Sequence, residues 1–230
     1  MIFNQLRFLG SRVRVWRSGE HAERVIIFLH GSGITAFGME KWLRSCVSWP
    51  PDDVAVILPS APMITYDVDQ QLRSVWHQRK DINIDSDYED SEGISRISDG
   101  LAEMLEDITA KDKINKNNII IGGFSMGGHM AIHSVYNHNL KVSKCFAISS
   151  FLINQSQVYK SIEESKENRC KVPLYLAHGD HDTIVPLSWT NVLLQRFQVN
   201  NINSSLTVYK GLGHEIRSDV LQDIFSWSIK

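Results

Sequence analysis

The sequence predicts an α/β fold, a doubly wound and mostly parallel sheet with helices on both faces. Short apolar runs such as Ile119–Ile121 alternate with longer amphipathic segments over nearly the whole chain of 230 residues. A β-branched run of this kind is typical of a strand buried on both faces, as in parallel sheets. The chain shows neither an internal repeat nor a linker, and its length suffices for one large core. We therefore expect one domain over residues 1–230.

The predicted elements alternate in order along the chain. The predicted strands are Arg12–Trp16, Arg24–Leu29, Val54–Leu58, Ile119–Ile121, Lys144–Ile148, Pro173–Ala177 and Ser205–Tyr209. The predicted helices are Phe37–Val47, Ser91–Lys111, an apolar-periodic segment with Met130 and Val135, Ser156–Lys166, Leu187–Val199 and Arg217–Ile229. The first strand alternates polar and apolar residues, which indicates a half-buried edge strand. The helix from Ser91 keeps its apolar residues at helical spacing with acidic residues opposite.

The composition excludes several classes of function. Hydrophobic residues make up 43% and charged residues 22% of the chain, and the formal net charge is −2, so nucleic acid is not an expected partner. The start of the chain has polar residues where a signal peptide needs an unbroken apolar stretch, and no run is long enough to cross a membrane. The cysteines suit neither a zinc site nor a disulfide framework; they are Cys46, Cys145 and Cys170. We expect a cytoplasmic protein without a cofactor, with Cys145 as a core residue.

One stretch combines a strand, a glycine-flanked serine and a helix. Gly123-Phe124-Ser125-Met126-Gly127 follows the strand at 119–121, and apolar residues at helical spacing come next. In this context G-x-S-x-G is typical of a nucleophile elbow, a turn so sharp that the neighbouring residues must lack bulk. The helix N-terminus also directs backbone N–H groups and a partial positive charge at the site of an oxyanion. Ser125 is therefore predicted as a nucleophile; the alternative is a serine in an ordinary strand-to-helix turn.

Three connections carry further candidates. The turn at 30–33, His-Gly-Ser-Gly, ends a buried strand where such folds place a second backbone donor for an oxyanion; the alternative is a plain turn. The connection Pro59–Val75 is long and carries apolar side chains such as Met63. It either offers a surface for an apolar ligand or is pinned to the core by those side chains. The acidic stretch Asp81–Glu92 is interpreted as a solvated loop, with binding of a basic partner as the alternative.

A serine nucleophile needs a base and an acid, and elimination selects both. After an elbow serine the chain order is aspartate or glutamate, then histidine, and His214 is the one histidine after Asp182. The carboxylates between Ser125 and His214 are Glu163, Glu164, Glu167, Asp180 and Asp182. The three glutamates belong to a charged helix surface, which leaves the two aspartates beyond a strand end. Asp182 is placed nearer to where His214 must arrive, and Asp180 is predicted to cap the loop.

Four other histidines are assigned to structure. His30 and His178 end buried strands, which indicates core packing or support of the catalytic residues. His129 and His133 stand four residues apart on the helix after Ser125, a spacing that zinc sites use. Because no cysteine or carboxylate completes a ligand set, we predict no metal site.

With these motifs in place, the chain resembles the acyl-protein thioesterase and carboxylesterase group of the α/β-hydrolases nearly from end to end. The resemblance rests on FLHGSG at 28–33, PSAP at 59–62, SVWHQR at 74–79, GGFSMGG at 122–128, HGDHDTIVP at 178–186 and GLGHE at 211–215. The stretches GGFSMGGHMAIH and FAISSFLINQSQVY are most similar to its lysophospholipase-like protein branch. The resemblance implies an α/β-hydrolase fold, and no insertion is long enough for a separate lid domain.

The resemblance implies a serine hydrolase acting on acyl thioesters or esters, S-palmitoylated proteins among them. Its catalytic residues fall on Ser125, Asp182 and His214, and its oxyanion donors on the backbone N–H groups of Ser32 and Met126. The candidate substrate-binding residues are Ile34, next to the HGxG turn, Met63 in the apolar connection and Trp76 just after it. Met126 replaces the glutamine of GFSQGG, and Ile34 replaces an aspartate that often follows HGxG. Because the oxyanion donors are backbone groups, we expect the chemistry to be kept and the acyl preference to shift to shorter chains.

The expected partner is an acylated protein or a small acyl ester or thioester, and brief contact with a membrane surface is compatible with either. Two rival activities share the triad. A short-chain carboxylesterase differs in its acyl pocket, and a lysophospholipase differs in its leaving group. A third rival is a non-catalytic receptor or scaffold with this fold, but a binding protein has no need of an activated triad.

Overall fold

The computed structural model describes residues 5–19, 21–164 and 171–229. Its strands are β1 (Arg7–Phe8), β2 (Ser11–Arg12), β3 (Arg14–Trp16), β4 (Arg24–Leu29), β5 (Val54–Leu58), β6 (Met63–Tyr66), β7 (Gln71–Ser74), β8 (Ile119–Phe124), β9 (Lys144–Ile148), β10 (Leu174–Gly179) and β11 (Ser204–Tyr209). Seven of these strands form the central sheet in the order β11-β10-β9-β8-β4-β5-β3. All neighbours pair in parallel except β3, which lies antiparallel to β5 at one edge. The mostly parallel sheet and the edge strand are confirmed.

Two antiparallel hairpins lie outside the central sheet. β1 pairs with β2, and β6 pairs with β7 inside the connection Pro59–Val75, which was expected to be a loop without strands. That interpretation is wrong for the middle of the connection. Met63 and Leu72 on this hairpin are 55% and 66% exposed, whereas Tyr66 and Val75 are buried. The hairpin is therefore pinned to the core by some of its apolar side chains and leaves others at the surface.

Six α-helices are described, besides a short 3-10 helix at Lys116–Asn118. They are α1 (Ala36–Cys46), α2 (Ser91–Lys111), α3 (Met126–Tyr136), α4 (Gln157–Glu164), α5 (Leu187–Val199) and α6 (Ser218–Ile229). The bounds of α2 and α5 are those predicted, α1 lies one residue earlier at both ends, and α6 begins one residue later than predicted. Thr35 and Asp90 cap α1 and α2 because each side chain accepts a hydrogen bond from a first-turn N–H. The predicted end of α4 at Lys166, together with Glu167 and Cys170, lies outside the described residues.

Two hydrophobic clusters lie on opposite sides of the sheet. Along β4, Val25 and Ile27 enter the cluster that packs against α2, α3, α4 and α5, whereas Ile26 and Phe28 enter the cluster against α1 and α6. Alternate residues of one strand thus reach opposite cores, because successive side chains of a strand point to opposite faces. This arrangement confirms the doubly wound sheet. Cys145 is fully buried in the core, as predicted.

The parallel strands end at a common edge of the sheet. The carboxyl ends of β4, β8 and β10 run into His30, Ser125 and Asp180, so side chains that are far apart in sequence share this edge. The candidate site is built there. Within the described ranges, no helix combines the length and the apolar character needed to cross a bilayer.

Candidate active site

Ser125 occupies a sharp turn between β8 and α3. Its φ of 53° and ψ of −119° are rare for a residue with a side chain, and such strain persists only where the surroundings enforce it. A Cβ atom on Gly123 would lie 2.3 Å from the Leu29 carbonyl oxygen, and one on Gly127 would lie 2.1 Å from it. Only glycine fits at either position, which explains the spacing of G-x-S-x-G. The Ser125 N–H donates to the Ile148 carbonyl at 2.8 Å and ties the turn to β9.

A chain of hydrogen bonds joins Ser125, His214 and Asp182. The Nε2 atom of His214 lies 3.1 Å from the Ser125 Oγ, and its Nδ1 lies 2.8 Å from the Asp182 Oδ2. An ionised carboxylate can only accept, so Nδ1 carries the proton and Nε2 presents its lone pair to the serine hydroxyl. This is the arrangement in which an imidazole acts as the base for a serine.

The Asp182 carboxylate is fully buried and fully engaged. Its Oδ1 accepts the backbone N–H groups of Ile184 at 2.9 Å and Val185 at 2.8 Å, while Oδ2 faces His214. Burial by itself raises the pKa of Asp182, but the hydrogen bonds from His214 and the two N–H groups outweigh it and hold the pKa below its ordinary value. The group therefore stays ionised and fixes the orientation of the imidazole.

Two neighbouring residues support the loops that carry these side chains. Asp180 accepts the N–H of Gly211 at 2.6 Å, so it caps the loop that leads to His214 and not its own loop. His178 is buried, and its Nε2 donates to the Val185 carbonyl at 2.8 Å, while its Nδ1 meets the Thr190 hydroxyl at 2.8 Å. Its burial lowers the pKa of His178, which keeps the imidazole neutral. His178 is thus a positioning residue behind the Asp182 loop.

The turn at 30–33 approaches the serine from the end of β4. The Nδ1–H of His30 donates to the Gly31 carbonyl at 2.8 Å, so Nε2 accepts the N–H of Ala61 at 3.0 Å. Burial lowers the pKa of His30 from its ordinary value of 6.5 to about 4. The indole N–H of Trp76 donates to the His30 carbonyl at 2.7 Å. Trp76 is fully buried and braces this turn, which corrects its prediction as a substrate contact.

Two backbone N–H groups are candidates for an oxyanion hole. Ser32 lines the cleft that also contains Ser125. Met126 begins α3, and the first N–H groups of a helix have no acceptor within the helix. The Met126 side chain is 1% exposed and packs in the core, so this residue can offer the site its backbone but not its thioether.

The cleft beside Ser125 has a volume of about 310 Å³. Its walls are mostly apolar, with Ile34, Trp42, Ile82, Phe124, Ile184 and Val185 around Ser125 and His214. Ile34 therefore lies where it was predicted, whereas Met63 lines a different cavity beside Phe8 and Thr35. Trp42, Ile82 and Ile184 also line the cleft and were not predicted to do so. Of these, only Ile184 carried a signal, because it follows Asp182 on the same loop.

Arg79 is the one arginine among the residues that line this cleft, which include no lysine and no carboxylate. Its guanidinium carbon lies 5.1 Å from the centre of the Phe151 ring, a cation–π contact that fixes its direction. Burial lowers the pKa of Arg79, although an arginine keeps its charge at any physiological pH. The residue belongs to the SVWHQR motif, but nothing in the pattern distinguished it from its neighbours.

No metal site was predicted because no carboxylate was expected near His129 and His133, but the structure places one there. Glu89, His129 and His133 bring their ligand atoms within 4.8 Å of one another. Glu89 belongs to the acidic stretch interpreted as a solvated loop, yet its side chain is only 10% exposed. Its approach to α3 depends on the folded path of residues 75–90 and carries no sequence signal.

Comparisons with known proteins place the chain in a family. The family model described as phospholipase/carboxylesterase matches residues 11–228. Lysophospholipase-like protein 1 of Mus musculus is 30% identical over 213 residues, which cover 91% of this chain and 87% of that protein. Acyl-protein thioesterase 1 of Gibberella zeae is 27% identical over 208 residues, which cover 86% of each.

Solved structures show the same fold. The crystal structure of Zea mays acyl-protein thioesterase 2 matches with a TM-score of 0.80 at 23% identity, covering 94% of this chain and 96% of that one. At this identity the likeness establishes the α/β-hydrolase fold alone. The family model covers almost the entire chain, and the chain therefore belongs to the phospholipase/carboxylesterase family of α/β-hydrolases.

Proposed function

We propose that the protein is a serine hydrolase that cleaves acyl esters or thioesters through an acyl-enzyme on Ser125. The observation that carries the proposal is the hydrogen-bonded chain from Ser125 through His214 to Asp182, open to an apolar cleft. Family membership supports the same class of reaction.

In the first step, the Ser125 Oγ attacks the acyl carbonyl carbon while the His214 Nε2 accepts the hydroxyl proton. The ionised Asp182 stabilises the imidazolium that forms. The N–H groups of Ser32 and Met126 would hold the developing oxyanion, and losing one such donor costs about 2.7–4 kcal/mol of barrier. The His214 imidazolium then protonates the departing thiol or alcohol, and the acyl group remains on Ser125.

In the second step, water takes the place of the serine. His214 removes a proton from the water as it attacks the acyl-enzyme, and returns that proton to Ser125 as the acid leaves. Because the same imidazole serves both steps, its orientation by Asp182 matters throughout the cycle.

We propose a preference for short acyl chains. The apolar walls contributed by Ile34, Trp42 and Ile184 can hold an acyl group, but the cleft of about 310 Å³ is at the small end of ligand sites. Met63, which was expected to extend this surface, lies in another cavity. Each buried methylene would add about 0.8 kcal/mol, so a site that buries few of them gains little from a palmitoyl chain.

One observation favours lysophospholipase activity as a second candidate. The Arg79 guanidinium lines the cleft, and a planar fork of donors suits a phosphate group. A lysophospholipid carries a phosphate in its leaving group, whereas a simple acyl thioester does not.

The test is kcat/KM over a series from acetyl to palmitoyl thioesters, together with a lysophospholipid, for the wild type and Ser125→Ala. We expect a maximum at short chains and a loss of about 10⁴-fold or more in the variant. A steady rise to palmitoyl would instead support a depalmitoylating enzyme. Hydrolysis by the folded variant at the wild-type rate would contradict the serine mechanism.

A further inference from the structure

A second group of ionisable side chains lies where the segment 75–90 packs against α3, one and two turns beyond Ser125. His129 and His133 come from α3, and His77 and Glu89 come from the segment 75–90 between β7 and α2. His77, His129 and Glu89 line a cavity of about 10 Å³, and His133 lies beside it with its Nε2 3.2 Å from the Glu89 Oε1. A cavity of this size holds one small occupant, a water molecule or an ion.

Two nitrogens that could bind an ion lack partners. Within the described part of the chain, no hydrogen bond reaches Nε2 of His77 or Nδ1 of His129, and both side chains are 2% exposed. The Nδ1 of His133 also has no hydrogen bond, but the other ring nitrogen, Nε2, is the one that faces Glu89. Buried polar atoms without partners are uncommon and costly, and a bound ion or water satisfies them.

The donor set is the one that zinc prefers. Two histidines four residues apart on a helix, joined by a carboxylate, are a recurrent zinc-binding arrangement. Two donors bonded at 2.0–2.1 Å to one tetrahedral ion stand about 3.3 Å apart. The separation of 3.2 Å between Glu89 and His133 already meets that requirement.

His77 lies beside the three candidate ligands, although it is not among the residues whose ligand atoms come within 4.8 Å of one another. Its Nδ1–H donates to the Gln78 carbonyl at 2.8 Å, which leaves a lone pair on Nε2, and its ring centre is 4.6 Å from that of His129. A metal-binding histidine usually donates its other ring N–H to a carbonyl or carboxylate in this way. Arg79 also lines this cavity, and its positive charge repels a cation. The bonds from the ligand atoms to the ion must therefore outweigh this repulsion.

We propose that Glu89, His129 and His133, with His77 beside them, bind a divalent metal ion, zinc by donor chemistry, that fastens the segment 75–90 to α3. The site is structural and stands apart from the proposed hydrolysis at Ser125. It joins two elements that are far apart in sequence, so its occupancy stabilises the folded chain by mass action. Arg79 lines both this cavity and the cleft, so the proposed ion lies next to one wall of the cleft.

The experiment is calorimetric titration of chelator-treated protein with Zn²⁺, with thermal melts before and after the addition. Glu89→Gln and His129→Asn remove ligands, whereas His21→Gln changes an exposed histidine elsewhere and is the matched control. We expect one ion per chain and a higher Tm for the wild type and His21→Gln. Each ligand variant should lose tenfold or more in affinity.

Circular dichroism identifies variants that do not fold. Glu89→Gln is the more conservative change, because its side-chain oxygen can still accept the N–H of Gln157 that the Glu89 Oε2 accepts at 2.9 Å. It therefore decides the outcome if His129→Asn unfolds. A wild type whose Tm does not respond to Zn²⁺, or a folded Glu89→Gln that binds Zn²⁺ as tightly as His21→Gln, would overturn the proposal.

Discussion

Replacing Asp182 with asparagine tests whether its carboxylate orients His214, because only the oxygen that faces the imidazole is changed to an NH₂ group. The Asp182 Oδ1 accepts two backbone N–H groups at 2.8 and 2.9 Å, so an asparagine must keep its oxygen at that position. Its NH₂ group then faces the Nδ1 of His214, where the carboxylate oxygen stood at 2.8 Å. A donor there requires Nδ1 to be the acceptor, so the imidazole proton moves to Nε2. That nitrogen can no longer accept the proton of Ser125.

The expected loss is large because the geometry survives and the tautomer is wrong. In serine proteases, the equivalent change lowers kcat by about 10⁴-fold, or about 5.5 kcal/mol. Asp180→Asn is the matched control, since it removes the same charge two residues away. Its oxygen can still accept the Gly211 N–H that Asp180 accepts at 2.6 Å, so we expect a change of less than about tenfold.

The assay is kcat for an acetyl thioester at pH 7.5, with circular dichroism to show that both variants fold. The reasoning is refuted if Asp182→Asn retains more than a tenth of wild-type turnover. It is also refuted if Asp180→Asn proves the more damaging of the two.

Three further predictions follow from named contacts. His30→Gln should reduce the loss of unfolding free energy that occurs as the pH falls from 6.5 to 4. The neutral His30 has a folded-state pKa of about 4 against an ordinary value of 6.5, so the unfolded state binds its proton first. Stability is thus complete above pH 6.5 and falls by about 3 kcal/mol towards pH 4. Urea unfolding at pH 7, 5.5 and 4.5 measures this slope, and an equally steep slope in the variant would contradict the assignment. Arg79→Gln should lower kcat/KM for a lysophospholipid about tenfold more than for a neutral acetyl ester. Lys80→Gln, which removes an exposed charge next to Arg79, should lower neither value. Equal losses on both substrates would show that Arg79 does not bind the phosphate. Trp76→Phe, which deletes the indole N–H held by the His30 carbonyl at 2.7 Å, should lower kcat for the acetyl thioester with little change in KM. A rise in KM alone would return Trp76 to the substrate site.

The fold and the core of the candidate site could be predicted because the short sequence motifs and the geometry of a parallel sheet point to the same residues. The glycines around Ser125 mark the elbow, and the structure explains them by the approach of the Leu29 carbonyl. Parallel strands end at one edge of the sheet, so the order of Ser125, Asp182 and His214 along the chain was enough to predict that they meet. The bounds of α2 and α5 matched their prediction because both helices begin at recognisable residues: Asp90 caps α2, and Pro186 directly precedes α5.

The surroundings of the site could not be predicted because they depend on packing. Met126 and Trp76 lie beside motif residues in sequence, but both side chains point into the core, a direction that the spacing of a motif does not encode. Arg79 and Glu89 belong to a segment without periodicity, and only the folded path shows that they turn inward. The hairpin of β6 and β7 was missed because its strands are short and largely exposed, so they lack a buried apolar run.

Labelling with a fluorophosphonate, followed by peptide mapping, tests the central claim most directly. Such a probe reacts only with a serine that a neighbouring base activates. Ser125, with the His214 Nε2 at 3.1 Å, should take up one equivalent per chain, and Ser125→Ala should take up none while remaining folded. Modification of a different serine in the wild type, or undiminished labelling of Ser125→Ala, would contradict the account.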